Sequence, residues 1–305
     1  MNNQVEKMKF SFFNAMKITF FVSLFFIVLS FYQINKQGLS YGIEFMGGTE
    51  VVVSFEDKVE IDKIRGIFSN SGFENISIQK YGEKDENEFL IRLPINEDAN
   101  VSGLSTYKDN FKSVVDQNFS PGSYSIKRID FIGPKVGKEL IKNGIYSIIF
   151  GSIAILIYVF IRFSFGFALA AVMALFHDFI ITTTLVTYLN IEISLATIAA
   201  LLTVIGYSVN DTIVIFDRVR ENIKITKLPL NELIDVSIYQ TLSRTVLTVI
   251  TVLIVLVPLF FFGGVEIEDF ALIMIIGVTI GTYSSILFAP YIMYFLSRGK
   301  IKKNA

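Results

Sequence analysis

The run Thr203-Val204-Ile205-Gly206-Tyr207-Ser208-Val209-Asn210-Asp211-Thr212 governs the reading of the whole chain. It falls within an apolar stretch over about residues 193–216, which as a helix is long enough to cross a hydrocarbon core of roughly 30 Å. It also carries a carboxylate at a depth where ionisation is costly, so Asp211 is expected to serve a function and to avoid lipid. Thr203, Tyr207 and Asn210 or Asp211 recur at helical spacing, which gathers the polar groups on one face.

Five further apolar runs lie at about 18–34, 143–161, 166–189, 242–263 and 269–296, so six membrane helices are predicted. Composition agrees, since 52% hydrophobic and 14% aromatic residues exceed what a soluble domain usually hides. The lipid bilayer is the partner that takes up the excess. Lys7, Lys9 and Lys17 give the first run the charged start of a signal peptide. Tyr32-Gln33-Ile34-Asn35-Lys36 offers no A-x-A cleavage pattern, so an uncleaved anchor is expected.

Orientation follows from the short basic loops. Lys7, Lys9 and Lys17 precede the first span, Arg162 ends the second, and Arg218, Arg220, Lys224 and Lys227 lie between the fourth and fifth. Arg298, Lys300, Lys302 and Lys303 follow the sixth, so six spans put every basic cluster on the cytoplasmic side. The expected division is a cytoplasmic N-terminus (1–17), a first transmembrane helix (18–37), an extracytoplasmic domain (38–139), a five-helix transmembrane domain (140–297) and a cytoplasmic tail (298–305). The acidic turn Glu266-Ile267-Glu268-Asp269 then faces outward.

Residues 38–139 hold 17 Asp/Glu against 12 Lys/Arg, an acidic balance without the basic stripe that a nucleic-acid partner demands. The absence of cysteine excludes disulfides there. Alternation over Thr49–Phe55 reads as a strand, and Val59, Ile61, Ile64, Ile67 and Phe68 as a helix. Ile76–Ile78 and Phe89–Leu93 read as strands flanking the polar turn Gly82 to Asn87, Leu104–Phe119 as a second helix and Tyr124–Phe131 as a last strand. The order β-α-β-β-α-β predicts an α+β, ferredoxin-like unit.

Within the spans Ser and Thr can bond their own helix, so the ionisable residues inform most: His177, Asp178, Asp211 and Arg244. Thr241, Arg244, Thr245, Thr248 and Thr251 form a polar face on the fifth span, which is antiparallel to the fourth, so an Asp211–Arg244 pair is expected. Burial and a neighbouring guanidinium act in opposite senses on such a carboxylate, so a small movement is enough to switch its protonation. A static ion pair, or an Arg244 that snorkels to the interface, is the alternative reading. His177-Asp178 fits a relay or simple helix packing and stays outside the candidate site. Gly277, Gly281 and Ser285 have small-xxx-small spacing and point to close packing. Asp217-Arg218-Val219-Arg220-Glu221-Asn222 reads as a solvated helix end. No metal-ligand spacing, Walker loop, nucleophile elbow or dinucleotide fingerprint occurs, so neither an enzyme nor a cofactor is expected.

The stretch from Gly206 through Asp211 to Phe216-Asp217-Arg218-Val219-Arg220-Glu221 resembles the fourth-span signature of the SecF branch of the SecD/SecF protein-export family. Thr241-Leu242-Ser243-Arg244-Thr245, Gly281-Thr282-Tyr283-Ser284-Ser285, Gly133-Pro134-Lys135-Val136-Gly137 and Gly42-Ile43-Glu44-Phe45-Met46-Gly47-Gly48 resemble the family's other blocks, in the family's order. Glu44 and Met46 depart from the usual pattern and are assigned no role. The resemblance implies a membrane half of the resistance-nodulation-division type in the bacterial inner membrane. It also implies a subunit that pairs with SecD and uses a proton or sodium gradient to support preprotein translocation through SecYEG. The family's ion-coupling positions carry over to Asp211 and Arg244, with Asn210, Tyr207, Ser208 and Thr245 as supporting polar positions. Two other classes stay open: a self-sufficient exporter of small molecules or lipids, and a scaffold in which replacing Asp211 costs only stability.

Overall fold

In the strand Gly48–Phe55 (β1), Val51, Val53 and Phe55 point to one face and Glu50 and Val52 to the other, as the period of two requires. The computed structural model describes residues 11–71, 76–81, 87–94, 103–120 and 122–301. The turn Gly82 to Asn87, except Asn87, and Lys7, Lys9, Lys302 and Lys303 lie outside these. β1 is central in a four-stranded antiparallel sheet with Ser77–Tyr81 (β2), Glu88–Pro94 (β3) and Tyr124–Ile132 (β4), in the order β2-β3-β1-β4. This is the split β-α-β arrangement predicted from the sequence, and the α+β unit is ferredoxin-like. Two helices, Ile61–Asn70 and Gly103–Asn118, cover the Val51 face through Ile64, Phe68, Phe111 and Val115. The stacked rings of Phe68 and Phe111 lie 5.1 Å apart between them.

Six helices are long and apolar enough to cross a membrane, as predicted. In chain order the helices are α1 (Phe12–Gln37), the single turn α2 (Ile43–Met46), α3 and α4 of the sheet domain, and then the bundle helices. These are α5 (Pro134–Arg162), α6 (Phe165–Tyr188), α7 (Leu195–Ile225), α8 (Leu230–Phe262), α9 (Val265–Tyr283) and α10 (Ala289–Ile301). A π turn, Ser284–Phe288, joins α9 to α10 in the sixth span. Pro290, two residues after its end, lacks the N–H that an unbroken ladder needs, so the widened turn has a local cause.

The helices outrun the apolar runs that announce them. α8 starts at Leu230, well before the predicted 242, because its first turns mix polar with apolar residues: Leu233, Ile234, Val236 and Ile238 are buried together with Asp235 and Ser237. Asp235 in that extension accepts hydrogen bonds from the Phe13 backbone (3.0 Å) and the Ser11 hydroxyl (2.9 Å), capping the N-terminus of α1 with a negative charge.

The sheet domain is fastened to the bundle by its polar face. Glu50 bonds Arg92 and Arg128, each at 2.8 Å, and Arg92 also reaches Glu192 in the α6–α7 loop at 2.5 Å. Burial pulls the pKa of Arg92 down, but Glu50 and Glu192 outweigh it and hold the group above its ordinary value. Ser40 and Gly42 form backbone hydrogen bonds with Ile193 in the same loop. Glu44 accepts a bond from the Leu195 backbone at the start of α7 (2.9 Å), so the departure from the family pattern at this position has a structural use. Met46 is 59% exposed. Gly137 fits under this connection because a Cβ there would stand 2.5 Å from the Phe45 carbonyl.

Candidate functional site

α9 approaches α7 closely because two glycines face it. A Cβ on Gly277 would lie 2.2 Å from a methyl of Val204, and one on Gly281 would lie 2.9 Å from the Ser208 Cβ. The predicted small-residue spacing is therefore a packing device, while Ser285 is buried and bonds the Thr282 carbonyl. Close approach aligns the polar middle of α7 with that of α9.

Asp211 lies at the rim of this contact and is 8% exposed. Ser208, one turn earlier, is buried towards α9, whereas Tyr207 (39%) and Asn210 are exposed. Thr203, Gly206, Tyr207 and Asn210 line an open groove of about 300 Å³ on the outer surface of α7. Asp211, Tyr207 and Ser208 also line a cavity of about 10 Å³ with Thr248 of α8 and Thr282 of α9.

The expected Asp211–Arg244 pair is only half present. Arg244 acts on Asp211 through space, but among the described residues no Arg244 nitrogen comes within the 4.0 Å of an ion pair. Its side chain lies exposed on the outer side of α8, one residue before the buried Thr245. Helical period placed both residues on facing spans, but it does not fix how far each helix is turned about its axis. Thr212 and Thr245 are buried, and their hydroxyls make no hydrogen bond among the described residues.

His177 and Asp178, which the sequence reading places outside the candidate site, form a buried, fully hydrogen-bonded polar cluster. They are 1% and 0% exposed. His177 Nδ1 lies 2.7 Å from Asp178 Oδ1, and its Nε2 lies 2.8 Å from the Tyr283 hydroxyl, which in turn lies 3.4 Å from Ser23 of α1. Asp178 Oδ2 accepts hydrogen bonds from Ser208 and, at 2.8 Å, from Ser284. Phe288 stacks on the imidazole at 4.3 Å. The sequence did carry one signal for this cluster: the chain's single histidine stands beside an acid deep in an apolar run.

Residues 111–299 match the family model described as protein export membrane protein SecD/SecF, C-terminal, and residues 34–59 match the SecD/SecF GG motif. The protein translocase subunit SecF of Vibrio alginolyticus is 42% identical over 274 residues, covering 90% of this chain and 85% of that one. Its counterpart in Rickettsia rickettsii (strain Sheila Smith) is 36% identical over 301 residues, covering 98% and 96%. A crystal structure of SecDF, a translocon-associated membrane protein from Thermus thermophilus, superposes with a TM-score of 0.79 at 34% identity, covering 98% of this chain and 39% of that one. SecDF in a super-membrane-facing form gives 0.69 at 33%, covering 97% and 40%. The chain thus spans about two fifths of the length of the SecDF chains it matches.

Fold and comparisons define a multi-pass membrane subunit of the protein-export class. The chain belongs to the SecD/SecF family, and within it to the SecF translocase subunits.

Proposed function

We propose that this chain is an accessory, non-enzymatic subunit of Sec protein export. It works beside SecD and uses a proton or sodium gradient to support preprotein movement through SecYEG. The observation that carries this reading is the placement of Asp211. It is a nearly buried carboxylate at the edge of an exposed polar stripe, with a guanidinium on the neighbouring helix that forms no ion pair among the described residues. A stripe of Thr203, Tyr207 and Asn210 is costly against lipid, so a second protein surface is needed to cover it. The SecDF chain contains about as much again and more beyond the matched part, which supports a SecD-like cover.

Asp211 is then the carboxylate that gains and loses the coupling ion, and Arg244 its movable counter-charge. Asn210, Tyr207, Ser208 and Thr245 shape the site around them. At about 100 mV one transferred charge supplies roughly 2.3 kcal/mol, enough to shift a two-state population more than tenfold. Asp211→Asn keeps the size and hydrogen bonding but cannot release a proton. In vesicles holding the co-purified complex, this variant is expected to assemble normally and lose gradient-dependent stimulation of export. Full stimulation would reduce Asp211 to a structural role.

The proposed setting is the bacterial inner membrane, with both termini and the 217–241 segment cytoplasmic and residues 38–139 outside. Single cysteines at the exposed positions Ser69 and Lys227 test this, because the chain has no others. An impermeant reagent on intact cells is expected to label only the first, and equal labelling would overturn the topology.

A further inference from the structure

We infer that His177 and Asp178 form a second proton-holding site in series with Asp211, joined to it by the Ser208 hydroxyl and one water. The inference rests on Asp211 being the coupling carboxylate. Ser208 donates to Asp178 and also lines the cavity of about 10 Å³ that Asp211 lines. That volume is enough for a single water, and Asp211, Ser208, Thr248 and Thr282 supply the polar partners such a water requires. The ionisable groups facing the pair are Tyr283 of α9 and, across Ser208, Asp211 of α7 with Arg244 of α8, while α1 contributes the Ser23 hydroxyl.

The transfer conserves every bond but those to hydrogen. Protonated Asp211 gives its proton to the water, and the water passes one of its own to Ser208 Oγ. Ser208 hands its hydroxyl proton to Asp178 Oδ2. Asp211 ends ionised and Asp178 neutral, while the water and Ser208 are regenerated with reversed hydrogen-bond direction. His177 holds Asp178 in place through Nδ1, and the Tyr283 hydroxyl at Nε2 and the stacked Phe288 ring hold the imidazole itself.

Two serines donate to the same oxygen of Asp178, but only Ser208 touches the cavity shared with Asp211. Ser208→Ala and Ser284→Ala therefore remove equivalent bonds, one on the path and one off it. In vesicles of the full complex, Ser208→Ala is expected to cut gradient-dependent stimulation at least tenfold while Ser284→Ala keeps most of it. Equal losses would mean that both serines merely support Asp178, and full stimulation in Ser208→Ala would remove the path. Either result overturns the inference while Asp211→Asn still reports separately on the coupling carboxylate.

Discussion

The bundle has an inner and an outer row of helices, and its two membrane carboxylates differ by which row they face. Buried positions make up 61%, 50% and 50% of the apolar windows of α6, α7 and the α9–α10 span, but only 11% in each of α1, α5 and α8. Asp178 points into the inner row, where His177, Ser208 and Ser284 saturate it. Asp211 also stands on an inner-row helix, α7, but at its rim it faces α8 of the outer row, without a hydrogen bond among the described residues. One chemical group thus has two environments, closed and open. The closed one fixes a geometry, whereas the open one leaves a charge free to change partners.

The contrast can be broken most forcefully from the closed side. Asp178→Ala leaves His177, Ser208 and Ser284 without their shared acceptor in a buried site, and a broken buried pair costs about 3 kcal/mol or more. Hydrogen bonds between membrane helices are usually worth about 0.6 kcal/mol, so an ordinary packing contact would give a much smaller loss. Thermal unfolding of the purified chain in detergent separates the two. A loss below about 1 kcal/mol would mean that Asp178 is no more than a helix-packing polar residue.

Gly277→Val probes the close approach on which the closed side depends. The added Cβ would meet Val204 at 2.2 Å, and overpacking of this kind costs about 1–3 kcal/mol. The same unfolding measurement applies. An unchanged midpoint would show that α7 and α9 have room to separate, and the alignment of Ser208 with Asp178 would then not be fixed by packing.

Much of this was legible beforehand, for reasons that differ by region. Six spans follow from window hydropathy alone, and the sheet domain from period changes at Thr49–Phe55 and Phe89–Leu93, since both signals are local. The first turns of α1 and α8 lie outside the predicted runs because apolar windows detect the hydrocarbon crossing and not the turns of mixed polar and apolar residues before it. Asp211 stood out as an acid in an apolar run, but the real position of Arg244 depends on helix rotation, which periodicity leaves open. The cluster around Asp178 was hidden for a related reason. Its partners come from α1, α7, α9 and the π turn, and Gly277 and Gly281 announce a close contact without saying that Ser208 is on its other side.

The smallest expected effect is the one that sharpens the contrast from the open side. Asn210 is neighbour to Asp211 in sequence, yet its side chain points out into the groove it shares with Thr203 and Tyr207. It is exposed among the described residues, so Asn210→Ala in the isolated chain should shift stability by less than about 0.5 kcal/mol. With a SecD-like partner covering the groove, the amide becomes an interface group whose loss leaves the partner's polar atoms unsatisfied, a penalty of about 1–3 kcal/mol. The variant should therefore be silent in unfolding of the chain alone and lower recovery of the co-purified partner severalfold. A destabilisation above about 1 kcal/mol in the isolated chain would place Asn210 inside its own bundle. The open rim, and with it the reason for Asp211 to exchange its proton at a partner surface, would then be lost.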